Sequence, residues 1–285
     1  MLERILPLIF ALLWSTGFIG ARFGLPYIEP FTFLSIRFFI AIVVLFFLIV
    51  LFKIKFPKLS RAYLHVFASG IITHVAYLSG IFFAIKLGMP PGEVAIIVGM
   101  QPILTALISN RVKILPIVFT SIIGFLGLIC VLKTNSPTVV ITAKTLIAAI
   151  LALLGITLGN IYQKHKCRDF HIITLAFLQY LPVMFIFMFL AFSFERSQII
   201  IWNGQLIFAI AWLSLVLSCG TILLMAFLYR KHSSTKAASF FYLAPPLALI
   251  QGHIFFGELI NVVNIVGMLL IVTSLYLTNN ILTTK

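Results

Sequence analysis

Two ionisable side chains stand inside long apolar runs of this chain, Arg37 and His74. A guanidinium stays charged and presents a planar fork, so Arg37 suits two-point binding of a carboxylate. It also suits snorkelling, or bonding to the carbonyls at a helix end. His74 has Tyr77 three residues on, hence on the same helical face. An imidazole titrating near neutrality relays protons, and a neutral one bridges two helices equally well. His253 lies towards the outer end of a later run. The six acids are Glu3, Glu29, Glu93, Asp169, Glu195 and Glu258, and all fall in loops or at the ends of runs. Glu93 and Glu258 sit where helices should begin, and a carboxylate there is stabilised by the macrodipole. Proton-coupled carriers keep carboxylates in the membrane. Their absence here predicts weak or no proton coupling, unless it runs through His74.

Uncharged polar groups are more numerous. Trp14, Ser15 and Thr16 share one run, and Gln101 and Thr105 another. Thr157 and Asn160 follow, then Gln179 and Tyr180, then Ser214, Ser218 and Thr221, then Tyr242 and Gln251. The spacings Thr157–Asn160 and Ser214–Ser218–Thr221 keep one helical face. Trp14, Tyr77, Tyr180 and Tyr242 offer apolar walls with a polar tip, suited to an amphipathic small molecule. Membrane helices also use such groups to bond one another. No HExxH, CxxC or paired aspartates occur, so neither catalytic residues nor a metal or other cofactor is expected. Cys130, Cys167 and Cys219 make no disulfide framework.

The elements that must position these groups are written twice. KAASFFYLAPPLALIQGHIFFGE, from Lys236 to Glu258, has an imperfect earlier copy in GEVAIIVGMQPILTALISN, from Gly92 to Asn110. An offset of 143 residues sets Pro102 on Pro245, Ala95 on Ala238 and Gly124 on Gly267. A proline inside an apolar span frees a carbonyl, which is tolerated where neighbours or a wet cavity satisfy it. Pro102, Pro245 and Pro246 are therefore candidate helix breaks. One interrupted segment per half points to a binding site at the membrane midplane.

The composition is 62% hydrophobic and 9% charged with a mean hydropathy of +1.20, beyond what a soluble fold can hide. The expected fold is an all-α polytopic membrane protein with ten transmembrane helices. They lie near 5–21, 31–52, 63–87, 92–109, 114–132, 143–162, 170–194, 205–229, 235–256 and 260–277. The first is read as an uncleaved span because no Ala-x-Ala site follows it. With the N-terminus inside, 14 of the 20 Lys and Arg fall on the cytoplasmic side and 5 outside, with Arg37 within. That bias fits cytoplasmic N- and C-termini. The net charge of +14 is thus a topology signal rather than a nucleic-acid footprint, and no nucleic-acid partner is expected. Five spans per half is odd, so the halves enter the bilayer from opposite sides as inverted repeats, at 1–136 and 137–285.

ALLWSTGFIGARFGLP, PFTFLSIRFFIA and FFAIKLGMPPGEVAIIVGMQPILTAL resemble the first repeat of the EamA group of the drug/metabolite transporter superfamily. FLYRKHSSTKAASFFYLAPPLALIQGHIFFGELINVVNIVGMLLIV resembles the second. Asn110–Lys113 stands where the first repeat often carries Gly-Glu, and the sixth span lacks an aromatic matching Trp14. The resemblance implies a ten-helix carrier of small metabolites. The expected function is a secondary transporter of the bacterial inner membrane, moving a small amphipathic metabolite, amino acids by export, through alternating access. The expected substrate contacts are Trp14, Arg37, His74, Tyr77, Gln101, Asn160, Tyr180, Ser218, Tyr242 and Gln251. Its partners are the lipid bilayer and the metabolite, with the chain a monomer or homodimer. A lipid-linked sugar flippase of the same superfamily is the alternative, and an intramembrane enzyme a more distant one. Gly124, Gly127 and Gly267 suit close helix contact in a scaffold or dimer surface.

Overall fold

Apolar runs of this length leave the backbone one local way to satisfy its own N–H and C=O groups in lipid, the α-helix. The computed structural model describes residues 2–57, 61–109, 114–132, 141–195, 199–232 and 240–283, and every regular element among them is helical. In order these are α1 (Leu2–Gly24), α2 (Pro30–Leu51), α3 (Ala62–Lys86), α4 (Pro91–Gly99), α5 (Gln101–Ser109) and α6 (Ile114–Leu132). Then come α7 (Ala143–Lys166), α8 (Ile172–Phe194) and α9 (Gly204–Lys231). A 3₁₀ turn, Phe240–Leu243, leads into α10 (Ala244–Phe256), and α11 (Val262–Thr283) follows. Six of them, α1 to α3 and α7 to α9, are long and apolar enough to cross a membrane. Shorter apolar stretches run over Val118–Gly127 and Val262–Ser274. Residues 110–113, with the expected departure from Gly-Glu, lie outside the described residues.

Side chains close the helix ends. Glu195, just past α8, accepts from the Phe31 and Thr32 backbone N–H groups at 2.5 and 2.9 Å, so it caps α2 from across the fold. Thr142 and Thr145 form a capping box on α7, and Asn203 Oδ1 accepts from Leu206 N at 2.8 Å on α9. The expectation that Glu258 starts the last helix fails. Asn261 and Asn264 cap α11 reciprocally, while Glu258 reaches back to an ion pair with Arg22 on α1. Gly257 ends α10 at φ +65°, a left-handed position that disfavours a side chain, and the turn it makes points Glu258 inward.

Packing joins the halves rather than separating them. The contacting pairs include α2 with α8, α4 with α10 and α6 with α11. Across the halves, α1 packs on α9 and α10, α3 on α7 and α8, α2 on α9, and α4 and α5 on α7. Exchanging each helix with its counterpart in the other half reproduces this set of pairs. Glycines set the closest approaches. A Cβ at Gly80, Gly155 or Gly159 of α3 or α7 would come within 2.8 Å of backbone across that interface. At Gly127 it would come within 2.7 Å of the Gly267 carbonyl, and Ser274 Oγ bonds Thr120 O at 2.5 Å, so the expected close contact of α6 and α11 is present. The outer faces carry Leu115 (82% exposed), Phe192 (69%) and Phe47 (62%), side chains suited to lipid.

Candidate functional site

The two segments related by the 143-residue offset meet in the middle of the fold. α4 stops at Gly99, Met100 makes a turn, and α5 restarts at Gln101. In the other half, Pro245 and Pro246 lie in the first turn of α10 directly after the 3₁₀ turn. Proline costs little there, because first-turn N–H groups have no intrahelical partner. These prolines therefore begin a helix instead of kinking one. The breaks touch, since a Cβ on Gly99 would fall 2.4 Å from Pro245 Cγ. Gly92 faces Leu249 at the other end of the contact, so α4 and α10 run antiparallel. The side chains of Pro102 and Tyr242 lie outside the described residues.

A second irregularity is also paired. α3 is π-helical over Ile71–Ala76, and α9 over Trp212–Thr221. The same offset carries 71–76 onto 214–219, inside the second segment. A π turn inserts a residue and re-aims the side chains after it, and such turns recur at functional sites. His74 stands on one of these turns and Ser218 on the other.

Between them is a cavity of about 30 Å³, lined by Trp14, Gly17, Phe18, Arg37, Phe38, His74, Tyr77, Leu78, Ile81, Phe82, Tyr180, Leu217, Ser218 and Ile222. Six of the expected contacts are thus brought together: Trp14, Arg37, His74, Tyr77, Tyr180 and Ser218. Arg37 is 6% exposed, and its Nε–H donates to Ser218 Oγ at 2.8 Å. Tyr180 Oη donates to the Ser218 carbonyl at 2.6 Å, which holds the α9 turn from the opposite side. His74 meets Tyr180 edge-on at 5.1 Å, and Trp14 stacks on Tyr77 at 5.8 Å. His74 Nε2 is buried and has no partner among the described residues.

The charge pattern is lopsided. Arg37 has His74, Tyr180, Tyr77 and Cys219 as ionisable neighbours, and no carboxylate among the described residues. All six acids are placed elsewhere. Glu29 pairs with Lys86 at 3.4 Å, Glu195 caps α2 and Glu258 pairs with Arg22. Glu93 lies in the first turn of α4, Asp169 in the turn after α7, and Glu3 in the first turn of α1. A buried charge without a counter-charge is costly.

The other expected contacts go to different places. Gln101 Nε2 and Asn160 Nδ2 both reach Tyr229 Oη, at 3.1 and 3.5 Å, and the amide oxygens of both have no partner among the described residues. Gln251 Nε2 donates to Ser15 Oγ at 3.0 Å, tying α10 to α1. Thr157 and Thr221 bond backbone carbonyls of their own helices. Asn160 and Tyr229 also line a wider cavity of about 370 Å³ with Gln163, Lys164, Cys167, Arg168, Leu175, Ala226 and Arg230. Among the described residues, that cavity has three cations and no acid in its wall. Tyr229, Phe18, Phe38 and Phe82 were not singled out from the sequence. Tyr229 stood beside a basic turn, and the phenylalanines were three among 29 with nothing to mark them. The three cysteines are free, and no cluster of possible metal ligands occurs among the described residues.

The EamA-like transporter family model matches this chain twice, over residues 2–136 and 143–280. A protein of known crystal structure superposes with a TM-score of 0.72 over 97% of this chain and 96% of its own, at 16% sequence identity. That likeness shows a shared fold. No curated protein matches. A doubled break, two matched π turns and a buried cation between the halves thus coincide with two matched copies of one repeat, and the chain belongs to the EamA-like transporter family.

Proposed function

We propose that this multi-pass membrane transporter is a secondary carrier of the bacterial inner membrane. It spans the bilayer ten times as two inverted five-helix halves, 1–136 and 137–285, with both termini in the cytoplasm. It moves a small amphipathic metabolite bearing a carboxylate, in the direction of export, by alternating access. The observation that carries this reading is Arg37, buried between the halves with no carboxylate facing it. The antiparallel packing of α4 on α10 supports the inverted arrangement. The wide, all-cationic cavity supports export, because its Lys164, Arg168 and Arg230 fall in the turns expected to face the cytoplasm. It gathers anions there. The central cavity, at about 30 Å³, holds little more than a water. It expands when the halves rock, and the matched π turns are the places where α3 and α9 yield.

A lipid-linked sugar fits less well. The groove open to lipid between α3 and α7, about 430 Å³, offers Ser79 and Lys144 as its only polar side chains among the described residues, so it suits an acyl tail and not a sugar. Flux tests the proposal. Protein in liposomes is expected to accelerate uptake of radiolabelled apolar carboxylic acids, with Arg37→Ala and His74→Ala reducing the rate at least tenfold. Flux unchanged in both variants removes the cavity from the pathway.

A further inference from the structure

We infer that the central site selects a monoanion with an apolar body and one neutral hydrogen-bond donor, and rejects the zwitterion of the same body. The inference rests on the reading of this cavity as the transport site, and it narrows amphipathic metabolites to one class. Three observations carry it.

The first is the absence of any negative charge for an ammonium group to meet. None of the six acids of the chain lines this cavity among the described residues, and Glu29, Glu195 and Glu258 are engaged elsewhere. An α-ammonium is tethered next to its own carboxylate. Once that carboxylate lies on Arg37, the ammonium is forced beside the guanidinium, in a dry pocket where like charges repel far more strongly than in water. The aromatic faces of Trp14 and Tyr77 attract cations, but that attraction does not replace a lost hydration shell and a counter-charge together.

The second is the spare acceptor. Gln179 gives its amide N–H groups to Ser69 Oγ and Gln163 Oε1, both at 2.8 Å, which leaves its oxygen as an acceptor for an imidazole N–H. A neutral imidazole donating to that oxygen from Nδ1 leaves Nε2 as a lone-pair acceptor, and Nε2 is buried without a partner among the described residues. A ligand hydroxyl satisfies it at no cost in charge. The third is the wall. Phe18, Phe38, Phe82 and Leu217 fill the rest of the lining and ask for an apolar body. Together these describe a 2-hydroxy acid with an aliphatic or aromatic side chain.

Matched pairs test this on the purified full-length protein in detergent, through the ligand dependence of the thermal unfolding midpoint. The pairs are 3-phenyllactate against phenylalanine, 2-hydroxyisocaproate against leucine, and indole-3-lactate against tryptophan. Each hydroxy acid is expected to bind at least tenfold more tightly than its amino acid, a difference of about 1.4 kcal/mol. 3-Phenylpropionate, which lacks the hydroxyl, is expected to bind several-fold more weakly than 3-phenyllactate, and His74→Leu to close that gap. Equal or tighter binding of the amino acid in any pair overturns the inference, and so does a failure of all three hydroxy acids to bind. Selective binding of the hydroxy acids without flux in liposomes leaves the inference standing and removes the transport reading instead.

Discussion

Replacing Arg37 with methionine should stabilise the empty protein while abolishing its function. Arg37 is 6% exposed, faces no carboxylate and has one identified hydrogen bond, from Nε to Ser218 Oγ. Exchanging buried ionic groups for apolar residues of similar volume is often stabilising, by about 1–4 kcal/mol. The lost hydrogen bond sets about 1 kcal/mol against this. Ser218 limits that loss, because a serine hydroxyl in a helix turns back onto a carbonyl of its own chain, as Ser15 and Ser69 do here. The balance is a gain of roughly 0–3 kcal/mol, and a chain of this size converts each kcal/mol into about 2–4 °C. The unfolding midpoint of Arg37→Met should therefore rise, by up to roughly 12 °C, in detergent without ligand, and flux in liposomes should fall to background. A midpoint below that of the unaltered chain would refute the reasoning. It would mean that the guanidinium braces the helices through carbonyls, and that the site's electrostatics are not waiting for an anion.

Two other predictions follow from the ends of the helices. Single cysteines at Pro90 and Gly257 should be labelled by an impermeant thiol reagent from the same face of the membrane, because α4 and α10 run antiparallel and those positions share one end. Labelling from opposite faces contradicts the inverted arrangement. Burial pushes the Glu258 carboxyl above the usual carboxylate range, against the opposing pull of Arg22. The folded protein thus keeps this proton at pH values where the unfolded chain has released it. The associated stability is fully present below the unfolded pKa of about 4.3 and is lost as pH rises through the folded value. Glu258→Gln should flatten that decline in a series of unfolding midpoints from pH 4 upward; an unchanged slope would show that Glu258 does not cause it.

The parts of the site that were legible owed this to rarity. Arg37 and His74 stood out because charge is costly in an apolar run, and Trp14, Tyr77, Tyr180 and Ser218 because polar tips there are few. The doubled proline segments were legible as a repeat. What the sequence left hidden is which face each residue presents. The regular 3.6-residue period places Ser214, Ser218 and Thr221 together, but the π-helical turn shifts that register, so Ser218 meets Arg37 while Thr221 bonds the Val216 carbonyl. Gln101 and Asn160 have the right chemistry for the cavity, but their partner is Tyr229. Glu258 looked like a cap because it precedes a helix, and the left-handed turn at Gly257 sends it to Arg22 instead. Phe38 and Phe82 had no signal at all, since a phenylalanine lining a cavity and one against lipid look alike in sequence.

The most direct test of the transport reading is the accessibility of residue 218 from the two sides. Ser218→Cys in a background with Cys130, Cys167 and Cys219 replaced by alanine should react with an impermeant thiol reagent in both right-side-out and inside-out vesicles. Saturating carboxylate ligand should slow both reactions. Reaction from one side only, or from neither, would contradict alternating exposure of a central site between the two halves.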